Sequence, residues 1–216
     1  MPYNAYDWKD FPSHFLLSSL TFEVLLRENG FVSCFYTYIC NLYTLDTMVN
    51  AIIPLDNNTL QRYIEHHHIE ARIILVDEET PTVADAARAL GVKTNAIIKS
   101  LIFIADDEPL LVIAAGEAKI SQKRLRDVLA VSRRKLRMVT ADEALDITGF
   151  VVGSMPPFGH KQSLPTYIDS LSVPREGSIL YGGGGTRSAM MELRAEELFA
   201  HLNDSAYLPV HLPLSR

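Results

Sequence analysis

The chain has little of what marks an extracellular, membrane-spanning or uniformly nucleic-acid-coating protein. Two cysteines in 216 residues, Cys34 and Cys40, cannot build a disulfide framework, so a reducing compartment is expected. The longest charge-free stretch, Asn29 to Leu45, is 17 residues and is interrupted by Asn, Ser, Thr and Tyr. That is too short and too polar for a membrane span. The N-terminus is aromatic and acidic rather than basic, so no secretory signal is expected and the working class is cytoplasmic. Positive charge is the minority: 20 Lys and Arg against 26 Asp and Glu give a formal charge of −6. This argues against a uniformly basic nucleic-acid binder and leaves local patches open. No internal repeat and no low-complexity tract is present. Hydrophobic residues at 48% and charged residues at 21% are ordinary for a folded chain long enough to bury one good-sized core.

What is there is unevenly distributed. Residues 1–47 hold 11 of the 19 aromatic residues, both cysteines and only seven charges. From Met48 onward the sequence turns charged and aliphatic, with regular helix and strand punctuation. Pro54 and the Asp56-Asn57-Asn58 cluster place a boundary near 48–58. The division expected is a divergent N-terminal extension over 1–50, with a helix from Ser13 to Asn29 ending at Gly30, and one main domain over 51–216.

Within the main domain the elements are short and alternate. Thr59–His67 reads as helix and Ala71–Val76 as strand. Thr82 starts a helix that stops at Gly91, because its hydroxyl can accept an orphan amide of the first turn. Ile97–Ile104 and Leu110–Ala114 flank Asp106-Asp107-Glu108-Pro109, a hairpin signature. Ser121 caps a helix running to about Ala130, Leu136–Val139 is a strand, and Thr140 with Glu143 forms a capping box for a helix closed by Gly149. Phe150–Val152, Thr166–Ile168, Ile179–Tyr181 and Ala189–Leu193 are strand candidates, and Ala195–Leu202 a last helix. Strands outnumber helices and several neighbours look hairpin-connected, so the fold class expected is α+β with a mixed sheet or barrel.

Several chemistries can be set aside. Beyond residue 47 there is no cysteine, hence no thiolate nucleophile or metal site there. His66-His67-His68 cannot converge on one ion, since adjacent helical residues diverge by about 100°. No Gly-x-Ser-x-Gly elbow is present. The Gly182–Gly185 run is followed by Thr186-Arg187-Ser188 rather than Lys-Ser/Thr, and by a strand rather than a helix, so it is neither a P-loop nor a dinucleotide fingerprint. It joins two strands and leaves backbone open to close approach.

Three features remain. Between Lys119 and Arg137 stand eight basic residues (Lys119, Lys123, Arg124, Arg126, Arg133, Arg134, Lys135, Arg137) and one acid, Asp127, a local +7 on an acidic chain. One-sided charge of this kind suggests a polyanion docking site. Lys99 sits inside the otherwise apolar Ile97–Ile104 strand, either snorkelling at a sheet edge or aimed into a cleft. The segment Gly153-Ser154-Met155-Pro156-Pro157-Phe158-Gly159-His160 is a stiff turn whose amides can face a ligand.

In order and spacing these pieces resemble the YbaK/prolyl-tRNA-synthetase-associated editing-domain family, the trans-acting aminoacyl-tRNA deacylases. The resemblance runs from about Leu60 to Leu202. It includes the Thr82–Gly91 helix, the Lys99 strand, Val112–Gly116, the Gly-x-x-x-Pro motif at Gly153 to Pro157, Leu164–Asp169, Gly182–Gly185 and Glu192-Leu193. It implies a mixed, partly barrel-like β-sheet surrounded by helices, with the site between the Lys99 strand and the Gly153–Pro157 loop. The activity implied is hydrolysis of the ester of mischarged tRNA, prolyl-tRNA carrying Ala, Cys or another small residue, by a free-standing enzyme. Such a second sieve is needed because one methylene gives a synthetase only about 1–3 kcal/mol of discrimination. On the same resemblance Lys99 acts by charge, and Gly153, Ser154 and Met155 supply amides near the ester. Ser100, Gly116, Pro156, Pro157, Phe158, His160, Gly183 and Gly184 surround the substrate, while Lys119, Lys123, Arg124, Arg133, Arg134 and Lys135 hold the tRNA. No cofactor and no metal is implied. The partner is the aminoacylated 3′ end of tRNA, with a synthetase as a further candidate, no membrane, and a monomer or homodimer. The competing reading is a non-catalytic tRNA- or protein-binding module on the same fold.

Overall fold

Local signals set most of the elements. The computed structural model describes residues 54–202 and 205–211. The expected 1–50 extension, its Ser13–Asn29 helix and both cysteines lie outside the described residues. Asp56, read in the sequence as part of a turn cluster, caps helix α1 (Asn57–His66): its carboxylate accepts from the Thr59 amide at 2.8 Å. Leu60 and Ile64, one turn apart, bury this helix against the core. Strand β1 (Ala71–Leu75) follows, and Thr82 caps α2 (Val83–Leu90). Strands β2 (Ile98–Ala105) and β3 (Glu108–Ala115) form a hairpin whose two-residue turn, Asp106-Asp107, has φ of 54° and 71°. Asp tolerates this left-handed conformation, which matches the twist of the flanking strands. Helix α3 (Gln122–Leu129) is capped by Ser121, and a single 3₁₀ turn (Arg133–Lys135) leads into β4 (Leu136–Met138). Helix α4 (Ala141–Thr148) carries the complete Thr140/Glu143 capping box. Strands β5 (Thr166–Asp169), β6 (Ile179–Gly183) and β7 (Ala189–Arg194), helix α5 (Ala195–His201) and β8 (Ala206–Leu208) complete the chain.

The strands build two sheets, β1-β7-β6 and β4-β2-β3-β5-β8. The first is antiparallel throughout. The second is mixed, because β3/β5 and β5/β8 run parallel while β2 pairs antiparallel with β3 and β4. The expected mixed sheet is present, but it does not close into a barrel: among the described residues the sheets join at one parallel bridge, Ile97 with Tyr181.

Both faces of the five-stranded sheet are covered, which explains the near-continuous apolar runs of β2 and β3. Ile98, Ile102, Leu111 and Ile113 pack with Leu60, Phe150, Ile168, Leu180, Met191 and Leu198 on one side. Phe103, Leu110 and Val112 pack with Leu125, Leu136 and Val210 on the other.

Two sequence expectations differ from the fold. Phe150–Val152 is not a strand. The Phe150 amide bonds to the Thr148 hydroxyl at 3.1 Å, a side chain taking the place of a ladder partner, and Val152 turns out to solvent. Conversely, β8 adds a strand that the sequence pattern does not announce, since three residues carry too little periodicity to read. No helix among the described residues is long and apolar enough to cross a membrane.

Candidate functional site

The start of β2, the end of β6, the first turn of α2 and the loop after Phe150 enclose a cleft of about 300 Å³. Lys99, Ser100, Gly153, Met155 and Gly183 all line it. Larger hollows of about 510, 650 and 670 Å³ lie elsewhere on the surface. What sets the small one apart is a mainly apolar lining that holds one charged side chain, that of Lys99.

Lys99 is half-buried, and its ammonium donates to the Gly116 carbonyl at 3.1 Å. Gly116 is held in turn by its own amide, which donates to Ile97 at 2.7 Å. Among the described residues no carboxylate lies within 4.0 Å of the Lys99 ammonium. Burial therefore pulls its pKa below the ordinary lysine value, partly opposed by the more distant Glu117 carboxylate.

The loop beside it is set by its glycines and prolines. Gly153 has φ of +92°, a conformation in which a side chain is strained. The Ser154 amide, expected to be a free donor, is bonded to the Val151 carbonyl at 3.2 Å, and its hydroxyl donates to the same oxygen at 2.9 Å. Ser154 thus shapes the turn and has no amide to offer. Pro156 and Pro157 lack N–H groups. The Gly153 and Met155 amides donate to no group among the described residues, and these two remain for a ligand.

Gly183 explains part of the glycine run. A Cβ there would overlap the Ser154 and Met155 carbonyls, so only glycine lets β6 approach the loop this closely, and the Gly185 amide then donates to Ser154 at 3.0 Å. Gly184, expected beside the substrate, does not line the cleft: the space of its missing Cβ lies 2.5 Å from the backbone of Ala189, within its own hairpin.

Four further residues depart from the expected arrangement. Pro156 is buried and lines neither this cleft nor the next. Phe158 and His160, with Pro157, line a separate cleft on the other side of the loop, together with Tyr63 and His201. The His160 Nε2 bonds to the Pro156 carbonyl at 3.0 Å, and burial lowers its pKa to about 4, so it is a neutral brace of the turn.

The basic run is exposed, apart from the half-buried Arg124 and Arg126, but less one-sided in space than in sequence. Lys135 pairs with Asp106, Arg137 is bidentate to Glu143 at 2.7 Å, and Arg124 donates to the His211 carbonyl at 3.0 Å. Lys119, Lys123, Arg126, Arg133 and Arg134 have no carboxylate within 4.0 Å among the described residues. Arg133–Lys135 sits against the β2–β3 turn, where the Asp106 amide donates to the Lys135 carbonyl at 2.9 Å. That is the opposite end of β2 from Lys99, about 20–25 Å along the strand. Lys119, three residues beyond Gly116, stands nearer the cleft.

A Ser–Asp–His group does form, from Ser172, Asp169 and His211. Ser172 donates to the Asp169 carboxylate at 2.5 Å, as does His211 Nδ1, and the same carboxylate receives the Val210 and His211 amides. The serine faces the aspartate rather than the imidazole, so no relay to a nucleophile exists. The group clamps the segment after β8 onto β5. The residues that sequence reasoning missed at the cleft are Thr80, Pro81, Val152 and Met190 in its lining, and Arg187 beside Gly153. Their positions depend on chain segments about 30–110 residues apart, and no local pattern announces them.

A family model, the aminoacyl-tRNA editing domain, matches residues 77–200. The uncharacterized protein YwhH of Bacillus subtilis (strain 168) is 34% identical over 123 residues, 56% of this chain and 75% of that protein. The proline–tRNA ligase of Ligilactobacillus salivarius (strain UCC118) is 34% identical over 88 residues, 41% of this chain but only 15% of the ligase. Among solved structures, a candidate trans-editing enzyme for prolyl tRNA synthetase superposes with a TM-score of 0.64 at 25% identity, over 73% of this chain and 97% of the other.

Proposed function

The chain belongs to the aminoacyl-tRNA editing domain family, and from that premise we propose that it hydrolyses the ester of tRNA carrying a wrong, small amino acid, acting as a free-standing deacylase. The observation that carries this reading is the meeting of the Lys99 ammonium with the Gly153 and Met155 residues in one cleft. A cleft of about 300 Å³ lies at the small end of ligand pockets, suited to an aminoacyl group rather than a whole nucleotide. The Gly153 and Met155 amides stabilise the negative charge that grows on the ester oxygen as water adds, and the Lys99 ammonium strengthens that field. Collapse of the adduct releases the free amino acid and restores the terminal ribose hydroxyl. Each such donor typically contributes about 10²–10³ in rate, and the aminoacyl ester is labile enough to need no protein nucleophile. The similarity to a proline–tRNA ligase and to a candidate trans-editing enzyme supports tRNA for proline as the carrier. The exposed Lys119, Lys123, Arg133 and Arg134 supply salt-sensitive affinity for its phosphates.

The test is a deacylation panel of Ala-, Cys-, Ser-, Thr- and Pro-charged tRNA. Turnover of one or two small aminoacyl esters is expected, with correctly charged Pro-tRNA spared. Uniform inactivity with tRNA binding retained would instead favour a binding module, a reading for which the sequestered Ser154 amide already speaks.

A further inference from the structure

We propose that Arg187 is the phosphate clamp of this cleft: it holds the phosphodiester on the 5′ side of the terminal nucleotide while the ester lies inside. The inference rests on the deacylase reading above and assigns a residue that reading leaves unused.

Four observations converge. First, the Arg187 backbone is fixed, its carbonyl accepting both the Thr80 amide at 2.8 Å and the Thr80 hydroxyl at 3.0 Å. Second, the guanidinium returns to the cleft: its Nε lies 3.9 Å from where a Cβ on Gly153 would stand. Third, its side chain is 50% exposed, which leaves it open to a ligand. Fourth, its acid neighbour is a loose one. Glu79 comes to 3.7 Å of the guanidinium without a hydrogen bond, whereas Arg72 and Arg137 make bidentate pairs at 2.6–3.0 Å and 2.7 Å. The fork of donors on Arg187 is free to grip another oxyanion.

The chemistry of the substrate says which oxyanion. In an aminoacyl ester the amino acid's carboxylate is consumed and its amino group is cationic. The only anions near the ester are phosphates of the chain that carries it. The cleft is too small to admit a phosphodiester beside the aminoacyl group, so that phosphate must lie at the rim, where Arg187 stands.

The experiment measures binding of uncharged RNA tetranucleotide ACCA, with adenosine as the phosphate-free control, over a range of salt. Arg187→Ala is expected to weaken ACCA about tenfold and to lower the salt slope by about 0.7, the value for one single-strand phosphate, while leaving adenosine unchanged. Arg187→Lys should restore the slope but only part of the affinity. Glu79→Gln, which removes the competing carboxylate, should tighten ACCA by about two- to threefold. Wild-type affinity and slope in Arg187→Ala would overturn the proposal while leaving the deacylase reading intact. Equal loss of adenosine and ACCA would also overturn it, by showing that the residue shapes the cleft. If the wild-type protein itself bound no ACCA, the clamp would fall, while the deacylase reading would still stand or fall on the panel of charged tRNAs.

Discussion

The two ends of β2 present the same residue type under opposite conditions. At one end Lys99 is half-buried, its described acceptor the Gly116 carbonyl, and desolvation holds its pKa below the lysine norm. At the other, Lys135 is exposed and paired with Asp106, which pushes its pKa up. A charge interaction at fixed distance is several times stronger in a partly desolvated site than at the surface, where salt also screens it. A single charge at the cleft end can therefore outweigh the more numerous charges at the turn end. The run of basic residues is the plainer signal in the sequence, but it is the isolated lysine that the fold sets in a cleft.

The sharpest way to break this contrast is to remove each lysine. Lys99→Ala is expected to lower deacylation by at least about 10²–10³, the scale of one lost transition-state donor, while Lys135→Ala stays within about twofold. Turnover near wild type in a folded Lys99→Ala protein would return Lys99 to a snorkelling role and erase the difference. The pH profile gives a second reading of the same pair. If Lys99 acts by its charge, as proposed, the enzymatic rate, corrected for spontaneous hydrolysis, should fall as pH rises through its lowered pKa, earlier than for a lysine titrating at 10.5.

Gly153 comes next in size. A Cβ there would have ordinary contact with Pro81 at 3.5 Å, but φ of +92° strains any side chain, and a branched one would fill the space of the ester. Gly153→Val is expected to reduce turnover by about 10²-fold and tRNA affinity far less, because much of the basic run lies toward the other end of β2. Circular dichroism must show the fold retained. A folded variant that deacylates within a few-fold of wild type would make the loop a turn and nothing more.

What could be read from the sequence, and what could not, divides along the same strand. The Asp106-Asp107 turn, the Thr140/Glu143 box and the Thr82 and Ser121 caps each depend on residues within four positions, and all four formed. Lys99 stood out because one charge in eight apolar-strand residues is a local anomaly. Two failures lie within the loop itself: Ser154 spends its amide on Val151, three residues back, and Phe158 and His160 line a different cleft from Gly153 and Met155. The others are non-local. Arg187 reaches Gly153 across 34 residues, and Asp106 meets Lys135 across 29. Charge summed along the chain ignored those returns, so the patch looked more positive than it is.

Smaller effects follow at the turn end. Arg133 and Arg134 carry no described carboxylate partner, so converting both to Gln should weaken tRNA binding about tenfold in low salt and reduce the salt slope by up to about 2, one for each phosphate left unneutralised. Turnover at saturating tRNA should be unchanged, since neither residue is near Lys99. An unaltered slope would show that the tRNA docks elsewhere, and the contrast between the two ends would lose its second half.

The finest test leaves the cations alone and changes the acid that faces them. Asp106 lowers the positive potential beside Arg133 and Arg134 by pairing with Lys135. Asp106→Asn removes one negative charge and frees the lysine for a phosphate. Asparagine tolerates the φ of 54° at this position as well as aspartate does, so the turn should persist and the melting temperature should hardly move. The expected gain is about two- to threefold in tRNA affinity at low salt, vanishing as salt rises past the screening range. Lys135→Ala in the same background should cancel the gain, because the freed ammonium is its source. If Asp106→Asn binds tRNA no better than wild type while Arg133 and Arg134 still matter, Lys135 points away from the RNA and the docking surface ends at the 3₁₀ turn. If affinity instead falls, the Asp106–Lys135 pair is holding that turn in place for its two arginine neighbours, and the acid belongs to the docking surface as its scaffold.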